Sequence, residues 1–351
     1  MSRESTAGRA IEEPADFGQQ RPPNLELERV AVVVVMYNSQ ALLADLVASL
    51  GAGLAGLDYE LVAVDNASPD NSVDVIQALA PSATIVSAGR NGGYAAGINA
   101  GVAAAAAHTA ILVLNSDVRL GAGCVAELLE SLRKPGVGIV VPRLVDAEGR
   151  VIDSMRREPT VARAFCDAIL GARRAGRFKG IGEVVTDRRA YERLQLTDWA
   201  EGSTQLISAE CWRACGSWDE SFFLYSEETE YNLRARDLGY ATVYVPTAKA
   251  THLEGGSGIS HSLWTLQVLN RIKLFRRRHG RPATALFWLA TLIREASRAA
   301  LGRGNSRAAA HALLIPGHAR VVPGPHAACS WDPDQNPQSS IISSAGSVRR
   351  K

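Results

Sequence analysis

Several features that would place this 351-residue chain in a particular class are missing from it. Its five cysteines form neither a CxxC pair nor a secreted-type framework, and no signal peptide is recognised, so a reduced, cytosolic compartment is expected. The longest apolar run near the C-terminus, "ALFWLATLI", is far shorter than the ~20 residues of a membrane-spanning helix. A net charge of only +2 gives no global signal for nucleic acid, and no such partner is expected.

Two common nucleotide-binding fingerprints are also missing. The glycines of "GRNGGYAAG" are out of the G-x-G-x-x-G register and follow the third predicted strand instead of the first. A phosphate loop with G-K-[ST] is not found either. Both of these classes of nucleotide-binding protein are therefore disfavoured.

The composition divides the chain into four parts. Residues 1–28 and 321–351 are polar or rich in proline and serine, so a disordered leader and a disordered tail are expected. Residues 29–258 alternate between apolar runs and helical patterns and form the predicted main domain. Residues 259–320 contain two amphipathic segments, "LWTLQVLNRIKLFRRRHG" and "ATALFWLATLIREASRAAL", and form a predicted C-terminal helical region.

The main domain begins with the pattern of a doubly wound α/β sheet. Four apolar runs predict buried strands: "VAVVVVM", "YELVAVD", "ATIVSA" and "AILVLNSD". Helical segments separate them, and the first, "SQALLADLVASL", has Ser39 as its predicted N-cap. This alternation predicts right-handed βαβ units in one sheet, and ligands of such sheets bind beyond the carboxyl ends of the strands.

Polar residues follow all four of these strands. They are Tyr37–Ser39, then Asp65, Asn66 and Ser68, then Arg90–Tyr94, and Asn115–Asp117. Carboxylates and amides gathered at one sheet edge suit a ribose, the edge of a base or a metal ion better than a bare phosphate. The sequence therefore predicts a polar ligand along this edge.

The rest of the main domain is less regular. "GIVVPRLVDAEGRVIDS" predicts a strand and a hairpin with the turn "DAEG". Residues 160–196 are basic and poorly patterned, and we interpret them as a variable insertion. Cys211 and Cys215 are interpreted as ordinary helix residues, because no metal-binding partner stands beside them.

A run of acids in "SEETEY" has an ordinary structural explanation. Glu227, Glu228 and Glu230 would occupy the first turn of a helix, where carboxylates suit the positive end of the helix dipole. Ser226 would be the N-cap of that helix. Helix chemistry alone therefore requires no function for these glutamates.

Asp117 and His252 are ambiguous when each is taken singly. An aspartate after a strand is commonly a turn or helix cap, and a lone histidine commonly lies in the core or on the surface. Taken together, a carboxylate and an imidazole could share an octahedral Mn²⁺ or Mg²⁺ ion with diphosphate oxygens and water.

Seven blocks of the sequence resemble the inverting family 2 glycosyltransferases, in particular their rhamnosyltransferase-like and galactofuranosyltransferase-like bacterial branch. In order, the blocks are "VVVVMYNS", "VAVDNASPDNS", "GRNGGYAAGINAG", "LVLNSDV", "DWAEGSTQLISAECW", "WDESFFLYSEETEYNLRARDLGY" and "ATHLEGGS". Seven blocks in one order are far more specific than any single motif. The resemblance implies the GT-A fold, an α/β fold with a doubly wound mixed sheet, and a metal-dependent enzyme.

The resemblance also implies a site for the nucleoside-diphosphate sugar. Asp65 would bind the uracil or thymine edge, with Tyr37 and Asn38 near the base. Asn91 and Gly93 would lie beside the ribose and diphosphate.

The segment Asn115-Ser116-Asp117 stands where this family carries a D-x-D motif. Asp117 would therefore bind the metal ion, with His252 as a second ligand and Asn115 beside the donor. Because Asn115 replaces the first acid, the site carries one negative charge fewer than the family pattern.

The acidic helix would supply the catalytic base in this family. The second acid of the pair is the base, which is Glu228 here, with Glu227 as the alternative because the family usually has aspartate at this position. Glu230 would orient the acceptor or support the site. Trp199 and Gly202 would line the acceptor or sugar pocket, although core packing explains Trp199 equally well.

The predicted function is transfer of a sugar, with rhamnose or galactofuranose favoured, in cell-envelope polysaccharide synthesis. The donor would be dTDP- or UDP-linked, and the acceptor a saccharide or a polyprenyl-linked sugar. Two alternatives stay open: a degenerate GT-A fold that binds a saccharide or a protein partner, and a sugar nucleotidyltransferase.

The C-terminal helices carry Trp264, Phe275, Phe287, Trp288 and the basic run Arg276–Arg278. These residues could rest on the inner face of the plasma membrane, or they could form a lid or a dimer face. Peripheral membrane contact is slightly preferred, and the oligomeric state is open.

Overall fold

The computed structural model describes residues 29–178, 180–253 and 260–315, so the predicted leader 1–28 and tail 321–351 lie outside the described residues. The strands are β1 (Arg29–Met36), β2 (Asp58–Asp65), β3 (Thr84–Ser87), β4 (Ala110–Asn115), β5 (Val118–Leu120), β6 (Val137–Val145), β7 (Met155–Arg156), β8 (Gln195–Thr197), β9 (Trp199–Ala200), β10 (Thr204–Ser208) and β11 (Ala241–His252). The α-helices are α1 (Leu43–Gly53), α2 (Ser72–Leu79), α3 (Tyr94–Ala104), α4 (Cys124–Leu132), α5 (Val161–Leu170), α6 (Ala172–Ala175), α7 (Ala209–Cys215), α8 (Glu227–Asp237), α9 (His261–Arg278), α10 (Arg281–Ala300) and α11 (Gly304–Leu314). Short 3-10 helices span Gln40–Leu42 and Arg188–Glu192.

The predicted doubly wound sheet is confirmed, and it is mixed. Its strand order is β3-β2-β1-β4-β10-β6-β11-β5, with β8 paired to β11, and a separate two-stranded ribbon joins β7 to β9. The first four strands of that order are parallel, β10 is antiparallel to both of its neighbours, and β11 is parallel to β6. The antiparallel insertion of β10 brings the segment that precedes it, residues 199–203, to the carboxyl end of β4.

Strand register gathers the polar ends of the chain at one edge. Met36 pairs with Asp65, and Val35 pairs with Asn115, so β1, β2 and β4 end at the same level. Ser87 pairs with Asp65 on the far side of β2. Parallel pairing therefore places the loops after all four strands next to one another, as the sequence predicted.

Each face of the sheet has its own core. Alternate residues of β1 point to opposite faces, so Val32 packs with α1 and α4 while Val33 packs against α3. Two positions of α3 require glycine because the helix lies close to β1. A Cβ on Gly97 would lie 2.6 Å from Val35 Cγ1, and one on Gly101 would lie 2.4 Å from Val33 Cγ1. Helix α3 can therefore lie close to the sheet, which brings Tyr94 at its start to the ligand edge.

Two serines occupy their predicted N-cap positions, but their side chains make no capping bond. Ser39 does precede a helical turn, but its Oγ makes no capping bond there; it accepts from Tyr37 N at 3.1 Å and lies 3.0 Å from Ser116 Oγ. Ser226 precedes α8 in a left-handed conformation (φ 78°), also without a capping bond. Both serines belong to loops of the ligand edge, whose tertiary contacts override the local capping preference.

The hairpin turn after β6 is confirmed. Asp146 O accepts from Gly149 N at 3.0 Å, and Asp146 N donates to Arg150 O at 2.9 Å. The 160–196 segment, predicted only as a variable insertion, contains α5, α6 and the second 3-10 helix. Thr160 caps α5 by accepting from Arg163 N.

The C-terminal region forms three helices instead of the two predicted segments. The rings of Phe275 (α9) and Phe287 (α10) stack 4.0 Å apart in a small core with Ala164 of α5, so these two phenylalanines do not face a membrane. Arg271 of α9 lies 2.5 Å from Glu183, an ion pair shielded from solvent. The helical region is thus packed on the insertion through apolar and ionic contacts.

Candidate active site

The loops after β1 and β2 hold each other in place at the predicted donor edge. Asp65 is 8% exposed, and its Oδ1 accepts a hydrogen bond from Ser68 N at 3.0 Å. Ser68 Oγ then accepts from the backbone N–H of Asn38, at 3.2 Å, where the chain is left-handed (φ 56°). Burial raises the pKa of the adjacent Tyr37 phenol, an effect that a hydrogen bond with Asn91 opposes.

The loop before α3 is fixed by side-chain amides. Asn66, which is buried, donates to Gly93 O at 3.0 Å and accepts from Gly92 N at 3.3 Å, while Asn91 Oδ1 accepts from Gly93 N at 3.1 Å. Gly93 has φ 90°, and a Cβ there would lie 2.1 Å from Phe223 O, so the position requires glycine. The predicted donor loop therefore packs directly against the segment that leads into α8.

Asp117 and His252, far apart in sequence, are brought together by strand pairing. Asp117 lies in the turn between β4 and β5, and His252 at the end of β11 pairs with Val118. The Nε2 atom of His252 is 3.3 Å from Asp117 Oδ1, and its Nδ1 atom is 3.0 Å from Glu201 Oε1. The imidazole thus lies between two carboxylates.

Electrostatics in this group favour the charged forms. Burial alone would lower the pKa of His252, but the two carboxylates outweigh it and raise the pKa to about 10. For Asp117 and Glu201, burial would raise the pKa of each carboxyl, yet the contact with His252 holds both below their usual values. Two carboxylates and one imidazolium give the group a net charge of −1, and the imidazolium would lose its proton on binding a metal ion.

The residues present fit a divalent cation. Among the described residues no three His, Cys, Asp or Glu side chains are grouped as a complete metal site, so protein ligands would come from the pair Asp117 and His252. Their separation of 3.3 Å is close to the ~3 Å between neighbouring ligands of an octahedral ion with bonds of ~2.1 Å. Glu201 against Nδ1 is the arrangement that commonly orients a metal-binding histidine, and Asn115 Oδ1 nearby in sequence is buried without a hydrogen-bond partner.

The chain enters α8 through an unusual backbone. Tyr225 (φ 68°) and Ser226 (φ 78°) are consecutive non-glycine residues in the left-handed region, which is sparsely populated for such residues. Glu227 follows at 2% exposure, with Oε2 lacking any hydrogen-bond partner. Burial and the neighbouring charge of Glu228 raise the pKa of Glu227 well above its usual value.

Glu228 is half-buried and has an environment suited to a base. Burial raises the pKa of its carboxyl to about 7; the charge of Glu201 adds to this effect, while hydrogen bonds to the backbone and the charge of Arg156 oppose it. A carboxyl with a pKa near neutrality can accept a proton at physiological pH and is more basic than an ordinary glutamate.

Tyr94 and Gly202 join the histidine group to the acidic helix. Tyr94 OH donates to Gly202 O at 3.1 Å, and Tyr94 N donates to Phe223 O at 2.9 Å. A Cβ on Gly202 would lie 3.0 Å from Glu228 Cβ, so the loop and the helix are in close contact. Burial raises the pKa of the Tyr94 phenol well above its usual value, and the charges of four nearby acids raise it further. We call these four acids the acidic cluster: Asp117, Glu201, Glu227 and Glu228.

Two predicted site residues, Trp199 and Glu230, make their contacts outside the acidic cluster. Trp199 Nε1 donates to Arg157 O at 3.1 Å, and the guanidinium of Arg156 lies 5.8 Å from the tryptophan ring, which is half-buried. Glu230 is not brought to the cluster; its carboxylate pairs with Arg234 at 2.8 Å. The roles predicted for these two residues stay predictions.

Sequence reasoning gave no role to three members of the site: Glu201, Arg156, and Tyr94, which it placed only in the segment Arg90–Tyr94 at the ligand edge. Glu201 was visible within the "DWAEGS" block, and Tyr94 was visible as the first residue of a predicted helix at the ligand edge. Neither had a signal of its own, because only the pairing of β10 and β11 shows that these residues meet His252 and Glu228.

The sequence is similar to those of known glycosyltransferases. The family model "Glycosyl transferase family 2" matches residues 31–185. An N-acetylglucosaminyl-diphospho-decaprenol L-rhamnosyltransferase of Mycobacterium tuberculosis is 28% identical over 236 residues, covering 63% of this chain and 75% of the relative. A low-salt glycan biosynthesis hexosyltransferase of Haloferax volcanii is 28% identical over 219 residues, covering 60% of this chain and 62% of the relative.

Solved structures show the same fold. A mannosyltransferase from Pyrobaculum calidifontis, in complex with GDP-Man and Mn²⁺, superimposes with a TM-score of 0.51 at 18% identity, over 84% of this chain and 80% of that one. Together with the mixed sheet, this similarity defines the GT-A fold of glycosyltransferases. Residues 31–185 match glycosyl transferase family 2, and the chain is a glycosyltransferase that is similar to the rhamnosyltransferase-like branch of that family.

Proposed function

We propose that this glycosyltransferase moves a sugar from a nucleoside-diphosphate donor to a saccharide or polyprenyl-linked acceptor, with inversion and with the help of Mn²⁺ or Mg²⁺. The single observation that carries the proposal is the acidic cluster, in which residues 201 and 202 lie between a metal-type pair and a carboxyl with a pKa of about 7. A module that only binds saccharides needs no such base.

Each part of the site would have its own task. Asp65 and the loops around it would hold the nucleotide, with Tyr37, Asn38, Asn91 and Gly93 lining the same edge. Asp117 and His252 would hold the metal ion, which when bound supplies positive charge to the leaving diphosphate. Glu228 would take the proton of the acceptor hydroxyl as that oxygen attacks the anomeric carbon from the face opposite the nucleotide.

The donor and acceptor classes are proposed from the relatives. By its name, the mycobacterial relative transfers L-rhamnose to a decaprenyl-diphosphate-linked N-acetylglucosamine. We favour rhamnose from dTDP-rhamnose for this chain, with galactofuranose from its UDP donor next, in cell-envelope polysaccharide synthesis.

Calorimetry is the first test of the donor site. The protein is titrated with dTDP and with UDP, each in Mn²⁺ and then in EDTA. Binding of either nucleotide that requires the cation is expected, and the preferred base directs the transfer assay that follows. No binding of either nucleotide would favour a degenerate fold instead. Turnover of a nucleoside triphosphate and a sugar phosphate would favour a nucleotidyltransferase.

Peripheral membrane contact is a second proposal, and we assign it to a surface other than the basic run of α9. No helix among the described residues could span a membrane. Of the basic run on α9, Arg277 pairs with Asp219 and Arg278 with Asp237. On α10, however, Leu286, Leu289 and Ile293 form one exposed stripe at helical spacing.

Charge around this stripe favours an anionic surface. Between residues 281 and 315 the sequence has five arginines and one acid, Glu295, which is fully buried and accepts from Trp264 Nε1 at 2.9 Å. We expect vesicles with anionic lipid to bind the protein, and the double variant Leu286→Ser, Ile293→Ser to bind less. Equal binding of variant and parent, or none by the parent, would remove this surface from the proposal.

A further inference from the structure

Helix α9 reaches the backbone that delivers the proposed base. Asn270, in the middle of α9 and only 6% exposed, donates its side-chain amide to two consecutive carbonyls, Leu224 O at 2.9 Å and Tyr225 O at 3.2 Å. These carbonyls belong to the peptide units on either side of Tyr225. One buried amide therefore fixes both peptide planes just before α8.

The backbone that Asn270 holds is the strained one. Tyr225 and Ser226 both have positive φ, and neither is a glycine, so this turn is unfavourable in isolation and persists only where its surroundings determine it. Ser226 makes no capping bond to stabilise the turn from within. The restraint must therefore come from outside the turn, and Asn270 supplies two hydrogen bonds at that point.

Other contacts from α9 hold the preceding part of the same loop. Lys273 Nζ donates to Ser221 O at 2.5 Å, and Arg277 contacts Asp219 and Ser221 Oγ. These contacts lie further from α8 than the Asn270 bonds. Among the described contacts of α9, those of Asn270 are the ones made directly to the left-handed turn.

From these contacts we infer that Asn270 is a positioning residue for the base, so that α9 is part of the catalytic unit. The inference rests on the proposed function of Glu228, because it assigns Asn270 the task of setting the direction in which α8 starts. Glu227 lies buried with an unpaired oxygen immediately after the turn, and Glu228 follows it. Relaxation of the turn would rotate both carboxyls away from their places in the acidic cluster.

The test compares Asn270→Leu and Asn270→Asp with Thr265→Val. Leucine and aspartate keep the approximate size of the side chain but lose the amide donor. Thr265 is a matched control, because it is equally buried on α9 and its hydroxyl donates only to His261 O of its own helix. Melting temperature, and kcat and KM for the nucleotide-sugar donor, are measured for all variants.

Both Asn270 variants are expected to lose kcat by about tenfold or more with donor KM changed less than about threefold, because the base is misplaced while the donor edge is intact. Thr265→Val should keep kcat within about twofold at a similar loss of melting temperature. Asn270→Gln, which retains the donor, should recover part of the kcat. Equal kcat losses in the Asn270 variants and the control would overturn the inference.

Amide hydrogen exchange separates this inference from the proposed function. Exchange over residues 224–230 should become faster in Asn270→Leu and stay unchanged in Thr265→Val, whether or not a donor has been found. Unchanged exchange in Asn270→Leu refutes the positioning role. Faster exchange in Asn270→Leu, together with a wild-type protein that transfers no sugar, would leave Asn270 as the restraint on this turn and refute the catalytic part alone.

Discussion

The two sides of the ligand edge are built in opposite ways. On the donor side, the polar groups are paired with one another and with backbone: Asp65 with Ser68, and Asn66 with Gly92 and Gly93. On the base side, Glu227 is buried with an unpaired oxygen, and the pKa values of Glu227 and Glu228 are both raised. The Asp65 and Asn66 side chains have hydrogen-bond partners before any ligand arrives, whereas the base side keeps its carboxyls in an unfavourable state.

This difference separates binding from chemistry. A donor site with its hydrogen bonds already made loses little freedom when a nucleotide binds, which favours affinity. A carboxyl kept near neutrality by burial is a better proton acceptor than a solvated one, which favours turnover. Variants on the two sides should therefore fail differently.

The largest effect is expected for Glu228→Gln. The amide cannot accept the acceptor proton, so kcat should fall roughly a thousandfold, within the range for a lost general base, while nucleotide affinity stays unchanged. Initial rates and calorimetry with the same preparation check this. Asp237→Asn is the control, because Asp237 is an exposed acid at the other end of α8 that pairs with Arg278. Wild-type turnover by Glu228→Gln would refute the assignment of the base.

Asp117→Ala should impair the proposed metal site. Removal of one of two protein ligands should cost roughly a hundredfold in both cation affinity and turnover, since the remaining histidine cannot hold the ion alone. Mn²⁺ titration followed by transfer assays measures both quantities. Asp45→Ala, which removes an exposed acid near Arg119, controls for a general loss of negative charge. Equal effects of the two variants would mean that Asp117 acts only through its charge.

Gly93→Ala tests how tightly the two sides are packed together. The added Cβ would lie 2.1 Å from Phe223 O at a positive φ, so the free energy of unfolding should fall by about 3 kcal/mol. Gly89→Ala has a similar φ but open space around the new Cβ, and should cost about 1 kcal/mol. Urea unfolding of both variants gives the comparison. Equal costs would show that the contact with Phe223 yields easily.

The pH dependence of kcat should follow the protonation of Glu228, the proposed base. The groups that face Glu228 are Glu201, Glu227, Tyr94, Tyr225 and Arg156. Because the pKa of Glu228 is raised to about 7, the base is protonated below that pH and kcat should drop about tenfold per unit of pH. Nucleotide affinity measured in parallel should lack this step. A flat kcat between pH 5.5 and 8 would contradict the raised pKa.

The smallest effect is expected for the stability of Glu227→Gln. A carboxyl whose pKa is raised on folding binds its proton more tightly in the native state, so wild-type stability falls as pH rises above the unfolded value of about 4.5. Glutamine has no charge to bury and should be relatively more stable at pH 8 than at pH 5, by at least about 1 kcal/mol. Urea unfolding at the two pH values measures this, with Glu230→Gln as the control. An identical pH dependence in Glu227→Gln and wild type would contradict the prediction.

The periodicity of apolar residues predicted much of the fold, but it predicted only part of the candidate site. The strand ends were predictable, since continuous apolar runs alternate with helices and parallel strands end at one edge. Glu201 was not, because its place depends on the insertion of β10 between β4 and β6, which no local pattern records. The left-handed turn at Ser226 was mistaken for an ordinary cap, because a serine before acids gives the same local signal in either conformation.

The pairing of β11 with β5 also determines when the site can exist. Asp117 and His252 are separated by more than a third of the chain and meet through the register of His252 with Val118. During synthesis from the N-terminus, the donor edge of β1, β2 and β4 can assemble long before β11 leaves the ribosome. A nascent chain therefore has the proposed nucleotide edge first and the proposed metal pair last, and the acidic cluster forms only when the main domain is nearly complete.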